Sequence, residues 1–77
     1  MSIKEQIIGI LKEVKPTKDL TDIVDIIEGG YLDSFELMSL IAQMGDEFQV
    51  EIDIDEIVPE NFNSVDAMVA MIERLKR

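Results

Sequence analysis

Three stretches of the sequence repeat apolar residues at the spacing of an amphipathic α-helix, and each begins behind a residue that can cap a helix. Ser2 with Glu5, and Asp33 with Glu36, have the spacing of a capping box, in which each side chain accepts a hydrogen bond from the other residue's backbone N–H. Ser64 is an N-cap candidate before the third stretch. An apolar stripe on a helix has to be buried against another element. The pattern therefore predicts an all-α chain with main helices over residues 2–14, 34–48 and 65–76.

The second predicted helix is apolar over an unusually wide arc. Its core stripe comprises Leu37, Leu40, Ile41, Met44 and Phe48, and a second stripe of Phe35, Met38 and Ala42 lies beside it. The second stripe has two interpretations: it faces a partner or a bound chain, or the helix is buried on two sides.

Two connections join these helices. Residues 16–33 carry apolar side chains of their own, so we expect this long loop to lie on the core, with one helical turn near Leu20–Val24. Residues 49–55 alternate apolar and acidic side chains, as strands do. A strand needs a partner strand, and none alternates well, so we expect an extended connector with a short helical turn near 55–58 or 59–62. The prediction is a small four-helix bundle, three main helices and one short, with a long first loop, as one domain over residues 1–77.

Composition excludes several classes of function. The 77 residues include no cysteine and no histidine, which removes thiolate sites, the usual general base and the commonest metal ligand. We therefore expect no enzymatic activity. The formal net charge of -10 argues against nucleic acid as a partner. No apolar run approaches the ~18 residues of a membrane span, and no signal-peptide pattern opens the chain. We expect a cytoplasmic monomer without membrane insertion.

The charge is segregated along the chain. All seven basic residues lie in residues 1–18 and 74–77, whereas residues 19–73 contain fifteen acidic residues and no basic one. Like charge of this kind keeps many small proteins soluble. It is also typical of a docking surface for basic partners, and the length of the stretch favours that interpretation.

One serine stands at the junction between the long loop and the second helix. Ser34 follows Asp33 in the string from Gly30 to Phe35. Its simplest role is to help start the helix. A serine at such a junction is also accessible for modification by another enzyme, and a phosphate on it would meet free N–H groups at the helix start.

These residues resemble the acyl carrier protein family. The resemblance consists of Asp33-Ser34-Phe35 with Gly30 ahead, Leu40 behind, and Phe48 to Ile52 closing the helix. It extends to nearly the whole chain through the length, the helix order, the long first loop, the acidity, and Asn63-Ser64-Val65 at the start of the last helix.

The resemblance implies that Ser34 carries 4′-phosphopantetheine, which a separate magnesium-dependent phosphopantetheinyl transferase takes from coenzyme A. The arm's thiol would hold an acyl or aminoacyl cargo as a thioester. The implied partners are that transferase, a cargo-loading ligase or acyltransferase, and downstream synthases with basic docking surfaces. By family position, the residues facing partners would be Asp33, Phe35, Glu36, Met38 and Ala42. From family fold and stripe geometry together, the walls of an inner acyl pocket would be Met38, Ile41, Ile54, Ile57 and Met68, although any one of them could be ordinary core.

Three positions depart from the carriers of fatty acid biosynthesis. Phe35 replaces the usual leucine and is similar to D-alanyl carriers and other specialised stand-alone carriers; Ser39 and Gly45 stand where acidic residues are frequent. The resemblance thus implies a dedicated role, with an activated amino acid or a specialised acyl group as cargo, including those of polyketide or nonribosomal peptide biosynthesis. The alternative is an unmodified acidic adaptor that binds a basic partner through the second helix.

Overall fold

The helices begin directly behind the predicted capping residues. The computed structural model describes residues 2–77 and contains, in order, α1 (Ile3–Val14), α2 (Ser34–Phe48), a 3₁₀ turn (Ile54–Glu56), α3 (Pro59–Phe62) and α4 (Val65–Leu75). The described part of the chain has no strand. The predicted all-α bundle of three main helices and one short helix is therefore confirmed.

Local chemistry accounts for the helix ends. The Ser2–Glu5 capping box is complete at the start of α1, and the Ser64 hydroxyl oxygen accepts the Ala67 N–H at 3.1 Å at the start of α4. At its C-terminal end, α2 closes on Gln49 in the left-handed conformation, with φ of 55°. The ends of α1 and α2 match the prediction, and α4 ends one residue earlier than predicted.

The helices pack around one core, in which α1 contacts both α2 and α4, and α3 contacts α4. The predicted core stripe of α2 points inward through Leu40, Met44 and Phe48, and α4 buries Val65, Met68, Met71 and Ile72. Because α4 lies between α1 and α3, it buries a wider arc than a helix with one neighbour. The buried core comprises Ile7, Ile10, Leu11, Leu20, Ile26, Leu32, Leu40, Met44, Phe48, Phe62, Val65, Met68, Met71 and Ile72. Within residues 2–77, none of the helices has the length and apolarity that crossing a membrane requires.

The long first loop lies on this core through Leu20 and Ile26, as expected. One hydrogen-bonded turn forms near the predicted place, where the Ile23 N–H donates to the Leu20 carbonyl at 3.2 Å, and the side chain of Val24 points into solvent. A second, helix-like turn follows, where the Gly29 N–H donates to the Asp25 carbonyl at 2.6 Å. Glycine is required there, because a Cβ on Gly29 would lie 2.7 Å from that carbonyl oxygen.

The connector after α2 is extended without pairing, as predicted. Both of the alternative positions for a helical turn are used: the 3₁₀ turn Ile54–Glu56 overlaps the first, and α3 occupies the second. Pro59 stands at the first position of α3, where a missing N–H costs nothing.

Candidate functional site

Reciprocal hydrogen bonds between Asp33 and Glu36 form the start of α2. An Asp33 side-chain oxygen accepts the Glu36 N–H at 2.8 Å, and a Glu36 side-chain oxygen accepts the Asp33 N–H at 2.9 Å. The predicted capping box is therefore confirmed. These bonds satisfy two N–H groups that the helix start would otherwise leave unpaired, and so they determine that Ser34 is the first residue of α2.

Ser34 is exposed to solvent at this helix start, and its neighbours Asp33 and Phe35 are exposed as well. The active site of a separate enzyme can therefore reach the hydroxyl group without unfolding the chain. A phosphate ester on this oxygen would lie beside the N-terminal N–H groups of α2, where a helix favours negative charge. The residue thus fits covalent attachment of a phosphate-linked group such as 4′-phosphopantetheine.

A basic side chain directly after α1 reaches the same helix start. Lys15 Nζ lies 3.2 Å from Glu36 Oε2, and both side chains are largely shielded from solvent. Glu36, which was predicted to face partners, bonds to Lys15 and to the Asp33 N–H. The role of Lys15 could not be read from the sequence, because its contact with Glu36 spans 21 positions and leaves no local pattern.

The loop leading to Ser34 is held by a second long-range contact, from Asn63 between α3 and α4. The Asn63 side-chain oxygen accepts the N–H groups of Ile27 and Glu28, at 3.0 Å and 3.1 Å. Its side-chain nitrogen donates to Glu28 Oε1 at 2.9 Å, and its backbone carbonyl accepts the Ile26 N–H at 2.9 Å. The sequence contained Asn63 only as part of the last helix's opening, and nothing there indicated these bonds.

The second apolar stripe of α2 is an outer surface of the molecule. Phe35 is 87% exposed and Met38 is 59% exposed. Ala42, one turn further, is exposed too. The interpretation that buries α2 on two sides is therefore wrong for these side chains. The outer face of α2, defined by Phe35, Met38 and Ala42, is uncovered and adjoins Ser34.

The five residues expected to wall an inner acyl pocket do not surround one cavity. Met38 lies on the outer face of α2, and Ile54 is 82% exposed on the 3₁₀ turn. Ile41 and Ile57 are half-buried, whereas Met68 is fully buried in the core. The prediction that these five residues wall one pocket is therefore corrected, because the exposed side chains of Met38 and Ile54 point away from the interior.

A small apolar cavity does lie beside α2, with a volume of about 60 Å³. Among the expected residues only Ile57 contributes to its wall; the full lining is Ile27, Leu37, Ile57, Val58, Pro59 and Phe62. Since Leu37 is one helical turn from Ser34, the cavity lies close to the proposed attachment residue.

Comparison with known proteins gives a consistent result. The family described as "Phosphopantetheine attachment site" matches residues 2–72. A D-alanyl carrier protein of Leuconostoc mesenteroides is 30% identical, with 97% of each chain covered. One from Staphylococcus saprophyticus is 27% identical over 99% of this chain and 100% of its own length. One from Streptococcus sanguinis is 26% identical over 99% of this chain and 98% of its own.

The family match covers far more than half of the chain, and these relatives are aligned over nearly their whole length. Members of this family are carriers rather than catalysts, and they hold 4′-phosphopantetheine covalently. The exposed serine at the start of α2 and the four-helix bundle agree with that role. The chain therefore belongs to the phosphopantetheine attachment site family of carrier proteins.

Proposed function

We propose that the chain carries a small aminoacyl group, D-alanine in the first instance, on a 4′-phosphopantetheine arm attached to Ser34, with residues 1–77 acting as one carrier domain. The observation that supports Ser34 is its position: it is an exposed hydroxyl on the first residue of α2, directly behind a complete capping box. When bound, the arm supplies a thiol on which the cargo is held as a thioester. The chain itself contains no cysteine that could serve instead.

The residues around Ser34 have separable tasks in this proposal. The Ser34 oxygen attacks the phosphorus atom of coenzyme A that bears the pantetheine arm, in the transferase active site. A new O–P bond forms, the bond from this phosphorus to the bridging oxygen of the pyrophosphate breaks so that adenosine 3′,5′-bisphosphate leaves, and the hydroxyl proton passes to a base of the transferase. Asp33 and Glu36 hold the helix start, with Lys15 neutralising Glu36. Phe35, Met38 and Ala42 on the outer face of α2 contact the transferase and the loading enzyme.

The size of the interior supports a small cargo. The apolar cavity beside α2 measures about 60 Å³, whereas an engineered apolar cavity that takes up benzene measures about 150 Å³. A long acyl chain would have to force the core apart, which costs free energy in a well-packed interior. The names of the D-alanyl carrier relatives support an amino acid as the cargo. An ATP-dependent adenylating ligase would load it, and we place this reaction in the cytoplasm.

Attachment is tested by incubating the folded chain with coenzyme A, magnesium and a phosphopantetheinyl transferase of broad specificity, followed by intact mass measurement. We expect one phosphopantetheine addition to the wild type and none to Ser34→Ala. Ser39→Ala is the matched control, because Ser39 is exposed on the same helix and should leave the addition unchanged. A folded wild type that gains no mass would contradict the proposal and favour the acidic adaptor.

Cargo is tested on the modified chain with ATP and an adenylating ligase that activates D-alanine, against an acyltransferase supplied with a long-chain acyl-coenzyme A. We expect a D-alanyl thioester that hydroxylamine releases. Efficient long-chain acylation without D-alanylation would contradict the assignment of cargo but leave the attachment at Ser34 intact.

A further inference from the structure

We propose that Asn63 is a positioning residue for Ser34: it holds the turn that precedes α2 and thereby sets how the serine is presented to the modifying enzyme. This inference rests on the proposed attachment of the arm at Ser34. Asn63 lies 29 positions away in sequence, at the corner between α3 and α4.

Asn63 makes four hydrogen bonds to one short segment, residues 26–28. Asn63 accepts three backbone N–H groups, from Ile26, Ile27 and Glu28, and donates to the Glu28 carboxylate. The three N–H groups are consecutive, and an unpaired, partly buried N–H is costly. Losing the side-chain amide would therefore leave the Ile27 and Glu28 N–H groups without their acceptor, while the Ile26 bond to the Asn63 backbone carbonyl remains.

A continuous series of contacts connects this segment to Ser34. The turn held by Asn63 continues through bonds from the Gly30 N–H to the Ile27 carbonyl at 3.1 Å and from the Tyr31 N–H to the Ile26 carbonyl at 3.0 Å. Gly30 has a φ of 75°, so the chain reverses there. Leu32 then enters the core, and Asp33 caps α2 immediately before Ser34. Only five residues separate Glu28, the last residue bonded to the Asn63 side chain, from Ser34, so freeing the turn loosens the entry to α2.

A comparison with Asn61 distinguishes positioning of the Ser34 loop from a general effect on stability. Asn61, in α3, makes bonds of the same kind: its side-chain nitrogen donates to the Glu56 backbone carbonyl at 2.8 Å and to the Glu56 carboxylate at 3.1 Å. Asn61 and Asn63 are both half-buried, but the bonds of Asn61 stay within the connector and α3. Asn61→Ala is therefore a matched control that loses hydrogen bonds without touching the Ser34 loop.

The first readout uses the unmodified chain and does not depend on Ser34 being the attachment residue. In ¹H–¹⁵N spectra we expect Asn63→Ala to shift the amide signals of Ile27 and Glu28 and also those of Tyr31, Ser34 and Phe35. We expect Asn61→Ala to leave all of these in place. Unmoved signals at Ser34 and Phe35 in Asn63→Ala would overturn the proposal whatever the transferase does.

The second readout is the steady-state kinetics of phosphopantetheine transfer. We expect Asn63→Ala to raise KM for the carrier about tenfold, as it would if only one molecule in ten held the competent loop, with kcat nearly unchanged. Asn61→Ala should leave KM within twofold of the wild type. An equal rise in KM in both variants would reduce Asn63 to a stability role and overturn the proposal. Absence of transfer to the wild type would instead contradict the attachment at Ser34.

A rescue experiment tests the contact with Glu28. Asn63→Asp keeps the acceptor for the Ile27 and Glu28 N–H groups but brings a second carboxylate beside the Glu28 carboxylate. We expect KM to rise in this variant and to return to near the wild-type value when Glu28→Gln is added, because the glutamine amide can donate to the new carboxylate. A double variant no better than Asn63→Asp alone would contradict the proposed contact.

Discussion

Single residues control how α2 begins and where the chain can bend. The capping residues Ser2, Asp33 and Ser64 could be predicted because a cap is a local pattern of side chain and backbone within three positions. Lys15 and Asn63 could not, since each acts across more than twenty positions and its partners are set by the packed fold. The exposed position of Ser34 was likewise predictable, as it follows from the cap.

Replacing two of the glycines by alanine should change the free energy of unfolding in opposite directions. A Cβ on Gly9, within α1, would meet no atom within 4 Å, so Gly9→Ala should raise the free energy of unfolding by about 1 kcal/mol through helix propensity. Gly30 has a φ of 75°, so Gly30→Ala should lower it by about 1 kcal/mol. Urea unfolding of both variants measures these changes. Changes of the same sign would contradict the backbone conformations described here.

Glu5 provides a prediction on pH. Hydrogen bonds from the backbone and side chain of Ser2 lower the pKa of the Glu5 carboxyl group below its ordinary value. The stability that this contact contributes is thus present above the unfolded-state pKa of the glutamate and is lost as the pH falls through the folded-state pKa. NMR titration should show the Glu5 pKa rising part of the way towards its ordinary value in Ser2→Ala, because this variant loses the side-chain bond and keeps the bond from the backbone N–H at position 2. An unchanged pKa in that variant would contradict the Ser2 contact.

At the scale of elements, α2 has two faces with different tasks. Its inner face carries Leu40, Met44 and Phe48 into the core, and its outer face leaves Phe35 and Met38 uncovered. Periodicity predicted both stripes and the bounds of α2. It could not decide whether the outer stripe was covered, because that depends on whether a neighbouring element reaches it. The turn at residues 25–30 was not predicted for a similar reason, since the bonds from Asn63 that stabilise it come from a distant part of the chain.

The two methionines of α2 separate these faces. Met44 is fully buried, so Met44→Ala should lower the free energy of unfolding by about 2–5 kcal/mol, as truncations of core side chains do. Met38→Ala should change it by less than about 0.5 kcal/mol, because the side chain is exposed. In the same Met38→Ala protein, loading by the partner ligase should slow severalfold. A large loss of stability with normal loading would contradict the assignment of the outer face.

The whole molecule is strongly and unevenly charged. The net charge is -10, and residues 2–77 contain three ion pairs, of which Lys15 with Glu36 is shielded. Segregation of the charge along the chain was evident from the sequence. The surface near Ser34 could not be predicted from this segregation, because the exposed face beside the serine is apolar and Glu36 is paired with Lys15. The overall bundle could be predicted because a short chain with three capped amphipathic helices has few ways to bury their apolar faces.

Like charge on this scale opposes folding. Added sodium chloride screens the repulsion between exposed carboxylates. It also weakens the attraction within the ion pairs, but these are few, so the lost stability is small. We therefore expect the melting temperature to rise between low and physiological ionic strength. Thermal unfolding followed by circular dichroism measures it, and a fall in melting temperature over this range would contradict the prediction.

The central claim is that Ser34, and no other residue, holds the arm. A protease that cleaves after glutamate releases residues 29–36 from the modified chain, and in this peptide Ser34 and Tyr31 are the only hydroxyl side chains. Tandem mass spectrometry of the peptide locates the added mass on one of them. The account predicts phosphopantetheine on Ser34; an unmodified peptide from a modified chain, or a modified Tyr31, would contradict it.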